Sequence, residues 1–287
     1  MFTTNLVTSQ LALADLDARR LTTWTLPTPP NTGPQSIAFD GSGRVLFLAA
    51  GGGSIGVIGR FDPITGLEET WSIPVTIVDP EGDFAWKITA ASDGTVFFNI
   101  NGFTHPAELG RLDPATGVFT SWVTPEPPIF GLAADGSGSV FFQEQGNTLN
   151  VARLVPATNT LTEWTFVDDV EFTQNMIFDS GKLVFGNNGP TAIVSLDPSV
   201  AGVDSTLSPT VTDPVVPSSA IVTPVVTTRD PHRHGQARGA VSASTPTSAG
   251  PFTVFPTVFP SWIAGDGTGT IYFTGGDIGA SVARLSP

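Results

Sequence analysis

Glu144 stands between Gln143 and Gln145 at the end of an apolar Val140-Phe-Phe142 run. A carboxyl moved out of water in such a setting holds its proton more tightly and can act as a general acid or base. Two histidines add groups that titrate near neutral pH. His105 lies in the segment 99–108, and His232 lies in Arg229-Asp-Pro-His-Arg-His-Gly-Gln-Ala-Arg238, a basic island in an acidic chain. Glu144, His105 and His232 are therefore the candidate catalytic residues; the 229–238 island reads either as a solvated loop or as a lid over the site. His232 and His234 form a pair without a third ligand, so no metal site is expected from spacing. Gln35, Trp86, Lys87, Phe130, Gln174 and Trp262 recur where strands are expected to start. Asn99, Gln143 and Asn187 recur where strands are expected to end. This set is rich in amides and aromatics and poor in charge. It suits a neutral, partly apolar small molecule held by stacking and hydrogen bonds. A hard-cation cage would need several carboxylates. No nucleophile elbow, phosphate-binding loop, dinucleotide fingerprint or EF-hand loop is present.

What must position these residues is a repeat. Ile58-Gly-Arg-Phe-Asp-Pro-Ile-Thr-Gly-Leu-Glu-Glu-Thr-Trp71 returns as Leu109-Gly-Arg-Leu-Asp-Pro-Ala-Thr-Gly-Val-Phe-Thr-Ser-Trp122 and as Val151-Ala-Arg-Leu-Val-Pro-Ala-Thr-Asn-Thr-Leu-Thr-Glu-Trp164. A looser copy ends at Trp24, and a truncated one is Val282-Ala-Arg-Leu-Ser-Pro287. Each reads as strand, tight turn, strand, with a positive-φ residue closing the turn. Before each copy, an Asp-Gly or Asp-x-Gly step separates two apolar runs, as at Asp40, Asp93, Asp135, Asp179 and Asp266. That is a hairpin signal. One unit is thus four antiparallel strands, a, b, c and d. The tryptophans 24, 71, 122 and 164 are spaced by 47, 51 and 42 residues, and they are expected to pack the sheets. Arg60, Arg111, Arg153 and Arg284 on strand c read as structural, pairing between units or bracing the Asp-Pro turn.

A four-strand unit at that period predicts an all-β chain folded as a β-propeller. Six four-stranded blades are expected, closed by the N-terminal strand against the C-terminal a-b-c set, with seven blades as the alternative. The whole of 1–287 reads as a single propeller domain. Residues 199–260 break the rhythm. Over 212–258 they are read as a degenerate blade, with a disordered insertion as the alternative.

Net charge is −14 and the sequence pI is about 4.3, a surface that repels phosphate backbones, so no nucleic-acid partner is expected. No apolar run reaches the roughly 20 residues of a membrane helix, and no membrane partner is expected. The chain has no cysteine, which leaves the compartment open, and its start shows no basic, apolar leader, so a cytoplasmic protein is expected, with a processed secreted form as the alternative; a monomer is expected.

The pattern Ile-Ala-x-x-Asp-Gly, Val-Phe-Phe, Ile-Gly-Arg-x-Asp-Pro-x-Thr-Gly and Trp-x-x-Pro resembles the streptogramin B (virginiamycin B) lyase family of propellers over about four fifths of the chain. The resemblance implies a Mg²⁺ ion and elimination of a cyclic depsipeptide ester, with histidines at strand a and a glutamate ending strand b. Here the histidine places are taken by Gln35, Trp86, Ile129 or Phe130, Gln174 and Ser261; the glutamate is matched by Glu144. The function expected is a lyase-like enzyme acting by elimination, isomerisation or cyclisation on a neutral or hydrophobic natural product or cyclic peptide. It needs no cofactor of its own beyond the Mg²⁺ that the resemblance implies. The alternative is a non-catalytic propeller that binds a glycan, peptide or protein.

Overall fold

Alternating apolar and polar residues fold here into short antiparallel strands. The computed structural model describes residues 2–5, 9–15, 20–27, 34–51, 54–77, 83–102, 106–128, 131–145, 149–166, 172–188, 191–228, 247–249, 252–256, 262–265, 271–275 and 281–285. Among them every regular element is a strand. The chain divides into two compact units, Met1–Pro128 with Ser208–His234, and Ile129–Leu207 with Gly235–Pro287.

In the first unit, Pro34–Phe39, Val45–Gly51, Ser54–Phe61 and Leu67–Ser72 form the a-b-c-d meander of a first sheet. Asp83–Ala90, Val96–Gly102, Glu108–Asp113 and Val118–Val123 repeat it as a second sheet. Phe2–Asn5, Gln10–Asp15 and Arg20–Thr25 make an N-terminal sheet. The innermost strands Phe2–Asn5, Pro34–Phe39 and Asp83–Ala90 pack side by side in that order. One apolar cluster joins the first and second sheets through Leu46, Leu48, Trp71, Ile88, Phe98 and Phe119. Another joins the N-terminal and first sheets through Leu11, Trp24, Phe47 and Phe61.

In the second unit, Leu132–Ala134, Val140–Gln145, Leu149–Val155 and Thr160–Phe166 form a third sheet. Phe172–Asp179, Lys182–Asn188 and Thr191–Leu196 are strands a, b and c of a fourth. Trp262–Gly265, Ile271–Gly275 and Ser281–Leu285 form a three-stranded C-terminal sheet.

Turn chemistry fixes the meanders. At the a–b turn of the first sheet, Asp40 Oδ1 accepts the N–H of Ser42 and of Arg44, and Gly43 takes φ 81°. Burial works against the Asp40 carboxylate, yet the bonds from Ser42 and Arg44 outweigh it and lower its pKa. Asp135 repeats the arrangement with Ser137 and Ser139. At the c–d turns Gly66 and Gly117 have φ 75° and 72°, and Asn159 fills the same role at 55°. The strand-d tryptophans are buried, at 1–4% exposure for Trp24, Trp71, Trp122 and Trp164. Arg60 does not brace the Asp-Pro turn. It pairs with Glu69 across strands c and d at 2.6 Å and lies over the Trp71 ring.

Residues 203–228 correct the degenerate-blade expectation. They form no meander of their own. Val203–Thr206 pairs with strand d of the third sheet, Pro209–Val211 with strand d of the second, Ser218–Ile221 with strand d of the first, and Pro224–Thr228 with Arg20–Thr25. The segment is a strap that visits the sheets in reverse order and gives each one more outer strand. Phe252–Pro256 then supplies strand d of the fourth sheet, with Thr247–Ala249 outside it. The whole of 197–251 is therefore an insertion between strands c and d of the fourth repeat. The physical reason is proline. Pro209, Pro214, Pro217 and Pro224 keep every strap strand short, and a short strand gains most by joining an edge already built.

Closure by the N-terminal strand is corrected as well. Arg20–Thr25 has its two sides filled by Gln10–Asp15 and Pro224–Thr228. Ser281–Leu285 pairs, among the described residues, with Ile271–Gly275. Six sheets form among these residues, four of them five-stranded, one four-stranded and one three-stranded.

Candidate functional site

The register of strand a breaks at the same place in three sheets. In the second sheet Ala85 opposes Ile100 and Ile88 opposes Phe98, so Trp86 and Lys87 together face Asn99. In the first sheet Pro34 opposes Ala49 and Ser36 opposes Leu48, which leaves Gln35 as the extra residue. In the fourth, Phe172 opposes Asn187 and Met176 opposes Phe185, with Gln174 between them. Bulges re-aim side chains out of the pleat and concentrate beside functional sites.

Buried amides hold these irregularities. Asn99 is fully buried. Its Oδ1 accepts the Lys87 N–H at 2.6 Å, and its Nδ2 donates to the Pro128 carbonyl at 2.6 Å. Gln143, at the same place on strand b of the third sheet, is fully buried too. Its Oε1 accepts the Gly131 N–H at 3.2 Å, and its main-chain N–H donates to the Gly131 carbonyl at 3.3 Å. Both amides are engaged with backbone, and they fix the segments that carry Trp86, Lys87 and Gly131. Gln143 Nε2 has no hydrogen-bond partner.

Trp86 is 37% exposed, against 1–4% for the tryptophans of strand d. Lys87 is half-buried, and that burial lowers its pKa below the usual lysine range. Glu144 is fully buried on strand b of the third sheet, opposite Asn150. In the first and second sheets the equivalent position is a buried Ala49 or Ile100. Gln35, Gln174, Asn187 and Trp262 are placed by their strands, Trp262 opposite Thr274 at the start of strand a of the C-terminal sheet. His105, Phe130 and His232 lie outside the described residues.

The Mg²⁺ ion implied by resemblance does not fit these residues. Asn99 and Gln143 already use their side-chain oxygens on backbone N–H groups, and Glu144 is the one carboxylate at these strand ends. Among the described residues no three His, Asp or Glu side chains cluster.

Sequence reasoning missed Glu68. It is 1% exposed on strand d of the first sheet, neither carboxylate oxygen has a partner, and burial pushes its pKa up to about 7. The signal was in the repeat, because three residues before Trp24, Trp122 and Trp164 stand Leu21, Phe119 and Leu161.

The class these residues define is an all-β chain of antiparallel meander sheets. No family model matches it, and no curated protein does. It is similar to solved structures of a chain in a nidogen/laminin complex (14% identity, 70% of this chain and 97% of that one, TM-score 0.31). It is also similar to the PQQ-bound aldose sugar dehydrogenase of Streptomyces coelicolor (12%, 94% and 98%, 0.31). A third is the beta-propeller domain of Myceliophteria thermophila Cps50 (Swd1) (10%, 96% and 92%, 0.34). At these scores the likenesses say nothing of this chain's ligand or chemistry.

Proposed function

We propose that the chain is a β-propeller in whose first unit the strand-a starts form a binding rim for a neutral carbohydrate or peptide. The observation that carries this reading is Trp86. It is an exposed indole on a bulge, in a chain whose four strand-d tryptophans are buried. An indole face stacks on sugar rings and on apolar side chains alike. Lys87 beside it supplies a hydrogen-bond donor, and Gln35 occupies the matching bulge of the first sheet. The buried amides make the rim rigid, which lowers the ordering cost of binding. Titration calorimetry with neutral oligosaccharides and uncharged cyclic peptides tests it. Trp86→Ala is expected to weaken the bound class at least ~10-fold. Binding unchanged in Trp86→Ala, or no binding by either class, would sink the proposal.

A second reading keeps the enzyme: a lyase-like elimination, isomerisation or cyclisation on a neutral natural product. What favours it is Glu144, a fully buried carboxyl at the place the resembling family gives to a glutamate. It requires product formation, followed by mass spectrometry, that Glu144→Gln abolishes while ligand binding persists.

A further inference from the structure

Glu68 occupies a place that the repeat otherwise gives to an apolar side chain. Phe119 and Leu161, its counterparts, are fully buried in the same way. Phe61 stands directly across from Glu68 on strand c, and Ala220 stands across from it on the strap. Residues opposite one another share a face of the sheet. That face packs Phe61 with Leu11, Leu13, Trp24 and Val222. The strap is fastened there by the Ser218–Ile221 ladder and by the Val222 N–H donating to the Gly66 carbonyl at 2.8 Å.

The charged groups of the surrounding elements are committed or distant in register. Glu69 lies on the opposite face with Arg60. Asp62 accepts the N–H of Ile64 and Thr65 within its own turn. Residues 214–228 of the strap contain no ionisable side chain. On the N-terminal sheet, Asp15 and Arg20 stand opposite each other at the closed end of their hairpin.

We propose that Glu68 is a proton-operated release for the strap: as the neutral acid it lies dry beneath Ser218–Ile221, and when it ionises that strap strand lifts from the edge of the first sheet. An unpaired carboxylate cannot remain among Phe61, Trp24 and Val222 without water. Lifting one short strand admits water at the loss of a few ladder bonds. The closed form binds the proton more tightly than the open one, so rising pH favours opening. With the closed pKa about 7 and the ordinary carboxyl value of 4.5 for the open form, opening grows roughly tenfold per pH unit between those limits and levels off above them.

Hydrogen exchange of the full chain from pH 5 to pH 8, corrected for the intrinsic chemical rate, reads this directly. Protection over 218–222 is expected to fall by one to two orders of magnitude between about pH 5 and pH 7. Protection over 209–211, which lies on the strand carrying Phe119, is expected to hold. Glu68→Leu, the residue at two of the three other copies, and Glu68→Gln should each remove the pH dependence; the second variant serves if the first fails to fold. Three results would overturn the proposal: pH-independent protection at 218–222 in the natural chain, a pH dependence that survives both substitutions, or an equal loss at 209–211.

Discussion

Asn99 shows how one side chain can set a site without touching a ligand. Its two bonds satisfy the N–H of Lys87 and the carbonyl of Pro128, both displaced from the ladder around the bulge. Asn99→Leu is close to isosteric and leaves both backbone groups unpaired. The expected cost is about 2–4 kcal/mol in urea unfolding, together with weaker binding by an unaltered Trp86. Glu68 is the opposite case, a polar side chain that the fold would be more stable without. Its folded pKa is raised, so its contribution is fully present below the unfolded value and is lost as pH rises through about 7. The natural chain is expected to lose about 3 kcal/mol from this group between pH 4.5 and pH 7. In Glu68→Leu that part of the pH profile vanishes, as denaturant melts at a series of pH values would reveal. These carboxyl and amide roles were not legible from residue type. Glu144 and Asn99 look alike as polar residues after Val-Phe-Phe, and only register shows that each fills a place Ala49 or Leu48 fills elsewhere.

At the level of the element, the turns were legible and the strap was not. Asp-Gly and Thr-Gly steps carry their own geometry, so the hairpins at Asp40 and Asp62 follow from local chemistry alone. The bulges at Gln35 and Trp86 do not, because no local residue type marks where the extra residue enters, and only the pairing partner shows it. The strap escaped for a related reason. Its strands have no partner nearby in sequence, and periodicity reports only what a strand does with its neighbours. Its imprint is nonetheless in the repeat. A Cβ on Gly117 would lie 2.2 Å from the Val215 carbonyl oxygen of the strap, and one on Gly66 would lie 2.4 Å from that of Val222. Gly94 has a similar positive φ, 88°, with nothing within 4 Å. Gly94→Ala is therefore expected to cost about 1 kcal/mol of backbone strain. Gly117→Ala should cost ~1–2 kcal/mol more and loosen the exchange protection of 209–215. Equal losses for the two variants would show that the strap does not depend on the turn.

On the scale of the whole molecule, the strap answers a problem that every four-stranded meander leaves open. Each strand d ends its sheet with a row of unpaired N–H and carbonyl groups, a template for any extended chain. Net charge of −14 holds copies apart, but that repulsion acts over about 8–10 Å at physiological salt and weakens as salt rises. The strap fills the row instead. It does so with strands of three to five residues, two of which begin at proline, so its own outer edge is a poor template. The experiment uses the pairing of the fourth sheet. Leu196 opposes Phe252 across strands c and d, so residues 198–250 can be replaced by Asn-Gly, a turn that closes this hairpin directly. The shortened chain is expected to keep a β-type circular dichroism spectrum, reduced only by the deleted strap strands and Thr247–Ala249, because no meander strand is removed. It should also self-associate in a concentration-dependent way, and more so at 0.5 M salt than at 0.05 M, as light scattering would record. A shortened chain that stays monomeric at both salt concentrations would mean that the edges are guarded by charge, leaving the strap to the release at Glu68 alone.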